Sequence, residues 1–261
     1  MRVQPNRASL CVLVAVLVCP ISTVAAPLDA IQENVDIAIS PDESNEDRVK
    51  AANDVTENWQ VSVPVLIENI DAYHQSDEGA SYSKEAAGKL VPLTDLLVTI
   101  VGNKDGSAQK FREADTGKAV DILTSAAGAD DRSLRFNASN ILLRVVDDDN
   151  LCVVLHRLRD PKLGYSGQVN LLQVAISAAN KASRENLEAA KQTAELLEPS
   201  TERRIANLAS LLGQLSSSRE NTAPPLPADS YCANYNFDTG TPEVTPGGTP
   251  PTPPAPAVPS P

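Results

Sequence analysis

Aromatic side chains make up only 3% of the 261 residues, and there are just two histidines, His74 and His156. The chain is short of strand signals, and Gly and Pro are scarce from Glu43 to Glu220 apart from turns. With two distant histidines and no H-E-x-x-H or C-x-x-C, a zinc centre has no ligand set. Basic charge is also short: 22 Lys and Arg stand against 34 Asp and Glu, a formal net charge of −12. Neutralising phosphates takes clustered Lys and Arg, so no nucleic-acid partner is expected, and anionic membrane surfaces repel such a chain.

Long apolar runs are missing too. Leu10 to Val18 is too short, and too soon interrupted by Pro20, to make a good membrane span. Arg2 and Arg7 precede it, and the small residues Thr23-Val24-Ala25 follow. Residues 1–25 therefore read as a secretory signal cut after Ala25. A lipoprotein reading at Cys19 fits poorly, with Val18 before it and Pro20 after it. Loss of residues 1–25 removes two positive charges and no acid, so the net charge moves from −12 to −14.

Of the four cysteines, Cys11 and Cys19 leave with the signal. Cys152 and Cys232 remain, and two cysteines in an exported protein favour one disulfide. Free thiols, or a pair shared between chains, are the alternatives. An intrachain bond closes a loop of about 80 residues and contributes up to roughly 4–5 kcal/mol in the chain-entropy model. Cys232 lies in "ADSYCANYNF", so the bond straps that segment onto the body of the protein.

What the chain has is helical spacing. Val63, Leu66, Ile67, Ile70 and Tyr73 fall on one face of a helix. So do Leu90, Leu93, Leu97 and Ile100; Ala138, Ile141, Leu142 and Val145; and Leu151, Val154, Leu155 and Leu158. Three more runs start at Val169, Leu187 and Ile205. Each is about 10–16 residues, the usual length of a globular helix. Short connectors predict antiparallel helical hairpins, in an all-α fold.

Two segments line up with each other. "EDRVKAANDVTENWQVSVPVLIENI" starts at Glu46 and "DRSLRFNASNILLRVVDDDNLCVVLHRL" at Asp131. Each has an Arg near the start of a first helix (Arg48, Arg135), small residues after it, a polar turn and a β-branched opening to a second helix. "SVPVLIENI", echoed by "KLVPLTDLL", resembles the second helix of HEAT repeats, and "ERRIANLASLLGQL" looks like one more first helix. The resemblance covers roughly residues 43–217. It implies a short solenoid of stacked hairpins; an irregular helical bundle is the alternative. It also implies that Arg48, Arg135, Arg203 and Arg204 pair with Asp between repeats. Pro64 is expected in the first turn of its helix, where a missing N–H costs nothing. "KFREADTGKAVDIL" from Lys110 is expected to supply a divergent unit between the two.

The expected organisation is a signal at 1–25, a lead segment at 26–42, an all-α repeat domain at 43–220, a disulfide-tied strap at 221–238, and a Pro-rich tail at 239–261. Twelve of the 20 prolines lie between Pro224 and Pro261. Such a tail has no apolar periodicity and is expected to be disordered, partly polyproline II.

The acidic stretch Asp147-Asp148-Asp149-Asn150 does not fit a Ca²⁺ loop. Counted from Asp147, the fifth position is Leu151 and the sixth, which needs Gly, is Cys152. It reads as a turn in which Asp147 and Asp148 end one helix and Asp149 or Asn150 caps the next. "GYSGQ" at Gly164 lacks the spacing of a nucleophile elbow and reads as a loop. "GNKDGSAQKF" at Gly102 lacks the end of a phosphate loop and reads as a turn. Ser44 is a plausible helix cap. "NAS" at Asn137 matches a glycosylation triplet but falls inside a predicted helix. His156 reads as a partly buried helix residue.

No catalytic residue, metal ligand or cofactor emerges. The expected function is an exported, non-catalytic scaffold that binds a protein partner in the periplasm, or outside the cell. An all-α enzyme, and an envelope structural protein acting through its Pro-rich tail, are the alternatives. No oligomeric state follows from the sequence.

Overall fold

The computed structural model describes residues 28–73, 84–114 and 117–242. The signal-like segment, His74 and residues 243–261 of the tail lie outside the described residues. The fold is all-α. In chain order the helices are α1 (Leu28–Ile39), α2 (Asn45–Glu57), α3 (Trp59–Ala72), α4 (Lys84–Asn103), α5 (Ser107–Ala114) and α6 (Lys118–Ala126). Then come α7 (Arg132–Val145), α8 (Leu151–Leu158), α9 (Tyr165–Ala179), α10 (Arg184–Leu197) and α11 (Arg203–Arg219). A short 3₁₀ turn (Tyr231–Asn234) and a two-residue antiparallel pairing of β1 (Tyr235–Asn236) with β2 (Thr241–Pro242) follow.

The helices stack in two rows. One row runs α1, α3, α5 and α6, α8, α10; the other runs α2, α4, α7, α9, α11. Each helix packs on its neighbours along the row and on its partner across it, as α1 does on α2 and α10 on α11. The apolar stripes meet between the rows. In α7, Leu134, Ala138, Ile141, Leu142 and Val145 are fully buried, and in α8 so are Leu151, Val154 and Leu155. Burying one such Leu or Ile contributes about 1.5–3 kcal/mol.

Several expectations are corrected by this arrangement. The lead segment 26–42 is largely helix: α1 seals the end of the array with Ile31 and Val35 fully buried. The sequence-aligned units are shifted by one helix from the packed pairs. α2 and α3 are separated by Asn58 alone and touch little, while α1 lies along α2 and α3 packs on α4 and α5. Pro64 is the sixth residue of α3 rather than in its first turn, and Pro92 likewise sits inside α4. "KFREADTGKAVDIL" spans two helices, α5 and α6, instead of one. "GYSGQ" is the opening of α9, with Gly167 against the Gly128 backbone, where a Cβ would come within 3.0 Å. The strap continues past residue 238, because Thr241 and Pro242 pair with β1.

Neighbouring helices, within and across the rows, are tied at their ends, where backbone groups have no partner within the helix. Arg135 donates to the carbonyls of Ala129 (2.7 Å) and Asp130 (3.2 Å) in the loop after α6. Arg219 donates to Ala179 O, at the last residue of α9 (2.9 Å), and Arg112 to Val145 O, at the last residue of α7 (3.4 Å). Arg48 reaches Ala38 O near the end of α1 (3.5 Å). Cationic guanidinium groups suit these sites because helix C-termini carry partial negative charge.

Residues 221–242 strap α6, α8 and α10 together. Cys152 and Cys232 are at disulfide distance, their Cα atoms 5.6 Å apart, and both are buried. Cys152 N–H, in the first turn of α8, donates to Cys232 Sγ (3.2 Å). The Pro224 carbonyl accepts Arg184 N–H at the start of α10 (2.9 Å). Tyr235 packs edge-on to both His156 and Phe237, and Arg159 lies 4.3 Å over the Phe237 ring. Two glycines make room for this strap. A Cβ on Gly117 would strike the Tyr231 ring at 2.3 Å, and one on Gly240 (φ 71°) would strike His156 at 2.5 Å.

Peptide mapping without reductant should recover one Cys152–Cys232 crosslinked peptide. Cys232→Ser should destabilise the protein by up to about 4–5 kcal/mol in urea unfolding. Alkylation of both thiols in the native, unreduced protein would refute the bond.

Candidate functional site

The acidic turn between α7 and α8 does structural work, but not in the way expected. α7 ends at Val145, so neither Asp147 nor Asp148 belongs to it. Asn150 is fully buried, accepts Asp147 N–H at 3.0 Å, and makes no side-chain cap on α8. The Asp149 side chain is exposed and caps nothing. Asp148 instead reaches across to α10. Its Oδ1 accepts Ser183 N–H (2.8 Å), Ser183 Oγ–H (2.9 Å) and Asn186 Nδ2–H (2.7 Å). Asp147 turns the other way and pairs with Arg112 Nε at 2.9 Å. The turn is thus a junction between α5 and α10. Partial burial lifts the Asp147 carboxyl above its ordinary value, outweighing the attraction of Arg112. Among the described residues, no group of three or more His, Cys, Asp or Glu could hold a metal ion.

The other residues singled out by sequence are scattered. His156 is half-buried, its Nδ1 2.9 Å from Phe237 O. Arg48 and Arg135 bind backbone carbonyls, not the Asp partners that the resemblance implies. Arg203 and Arg204 are exposed at the start of α11. Gly106 (φ 82°) makes the turn from α4 to α5. Ser44 caps α2, accepting Asp47 N–H at 3.1 Å. Asn137 is only 5% exposed and donates to Asp95 Oδ1 (2.8 Å) and Thr94 Oγ1 (3.1 Å) on α4, so the folded protein offers it to no glycan.

The surface that stands out lies where α4 is flanked by α2 and α7. Two adjoining hollows of about 570 Å³ each share Val91 and Asp95 in their walls. The first is bounded by Ile39, Pro41 and Arg48 on one side and by Gly88, Lys89 and Pro92 of α4 on the other. The second is closed by Arg132, Ser133 and Phe136 of α7. Phe136 is 65% exposed, more than any other large apolar side chain described. Three cations line this groove in a chain of net charge −12. Its one lining carboxylate, Asp95, accepts the Asn137 bond. Nothing in the sequence pattern marked Phe136, Lys89 or Arg132: single exposed residues on amphipathic helices carry no periodic signal. Only the stacking of α2, α4 and α7 brings them together.

No family model matches the chain, and no curated protein is similar to it. Among solved structures, the chain is similar to an engineered protein from the Northeast Structural Genomics Consortium, at 14% identity and a TM-score of 0.42. That likeness covers 73% of this chain and 90% of the other.

Asp148→Ala should cost about 2–3 kcal/mol of stability by leaving the buried Ser183 amide and hydroxyl, at the cap of α10, without their acceptor, whereas Asp149→Ala should change it by less than about 0.5 kcal/mol. Urea midpoints of the two variants compare them directly. Asp147 gives a pH test. Its folded value lies above the unfolded one, so the folded state holds the proton more tightly. The associated stability is fully present below the ordinary Asp range and is lost as pH rises through the folded value. Between about pH 3 and pH 7, the stability of the wild type should therefore fall relative to Asp147→Asn. A difference independent of pH would refute this account.

Proposed function

We propose that this protein is an exported, non-catalytic helical-repeat scaffold, of the HEAT type its sequence resembles, which binds a partner protein in the groove across α2, α4 and α7. The observation that carries the reading is Phe136, a large apolar side chain 65% exposed at the edge of one of two adjoining hollows. Exposed aromatics beside a concave surface are a common anchor for protein partners. Two rows of stacked helices support the same reading, since such stacking builds long faces suited to macromolecules. The Cys152–Cys232 pair supports an oxidising compartment, the periplasm or the cell exterior. No helix among the described residues is long and apolar enough to cross a membrane.

Photocrosslinking from two positions tests the reading. A benzophenone amino acid is placed at position 136 and, separately, at Leu196, which is 64% exposed on α10. In envelope extract, position 136 should form a protein adduct that unlabelled protein competes away and its Phe136→Ser variant does not. Adducts only at position 196, or none at all, would overturn the assignment.

A further inference from the structure

We infer that the occupant of the α2–α4–α7 groove is a segment of a partner protein that carries acidic residues around a bulky apolar side chain. This rests on the scaffold reading above and adds the chemistry of the partner.

Charge gives the first argument. Arg48, Lys89 and Arg132 line the groove from three different helices, and Asp95 is the only lining carboxylate. Its Oδ1 is already engaged by Asn137 Nδ2 at 2.8 Å. The hollow on the neighbouring α1 has the opposite character, with Asp29, Glu33, Asp36 and Glu43 in its walls. A net-acidic protein that gathers cations in one groove and carboxylates in the next sorts partners by sign. Acidic segments are drawn to the first and repelled by the second.

Apolar contact gives the second argument. Phe136 and Val91 supply the apolar contact for the partner's large side chain. Phosphate polymers fit less well: three cations on a strongly acidic chain neutralise few phosphates, and the apolar anchor gains nothing from them.

The test is to pan a phage-displayed library of random linear peptides against the full chain. Enriched sequences should combine Asp or Glu with a Leu, Phe, Trp or Pro. The synthesised peptides should bind about tenfold or more weakly to Phe136→Ser and to Arg132→Glu, and more weakly as salt is raised. Both substituted residues are exposed, and circular dichroism checks that both variants fold. Enriched peptides without an acidic excess that still lose binding in Phe136→Ser would overturn the acidic partner while leaving the groove as a docking site. Peptides that bind Phe136→Ser as well as the wild type would overturn both. Saturable binding of anionic vesicles that depends on Phe136, with no peptide enriched, would overturn the partner in favour of a lipid surface.

Discussion

The eleven helices among the described residues have many ends, and each end exposes amides or carbonyls with no partner along its own axis. The fold depends on satisfying those groups from other helices. Guanidinium groups on α5, α7 and α11 reach carbonyls at or beyond the ends of α7, α6 and α9. Carboxylate and backbone groups do the converse job at helix starts: Asp148 and the Pro224 carbonyl hold the head of α10. Burial of apolar stripes supplies most of the favourable free energy, but it is non-directional. The end-to-side polar contacts fix how one layer sits on the next.

The sequence carried much of the fold. The buried stripes of α7 and α8 are the residues whose spacing predicts them, and Cys152 and Cys232 lie where one bond can join them. The pairing of helices was less legible. Similar local patterns at Glu46 and Asp131 suggested units that the packing divides differently, because periodicity reports a buried face and not which neighbour buries it. Helix α1 was missed although Ile31, Val35, Ala38 and Ile39 have helical spacing, since it follows directly on the signal-like segment. The acidic turn was understood as a turn, yet the reach of Asp148 to Ser183 and Asn186 is a long-range contact that no local rule contains.

The groove was the least legible feature. Arg48, Lys89, Arg132 and Phe136 are spread over nearly 90 positions and three helices. Each alone is an ordinary surface residue. Pro92 lies inside α4, but what distinguishes this surface comes from the side chains that α2 and α7 place beside it. A site assembled by stacking can change its ligand through a few exposed residues while the stripes between the rows stay the same. That freedom separates recognition from folding in this architecture.

The covalent link between the strap and the head of α8 has a mechanical consequence. Stacked helices under tension tend to peel away from the loaded end, one layer after another. A pull applied to the chain beyond Cys232 does not reach α11 first. It passes through the sulfur bridge to Cys152, so α9, α10 and α11 lie in a closed loop that carries no load. The force arrives instead in the interior of the array, where α8 is held by α6, α9 and α10.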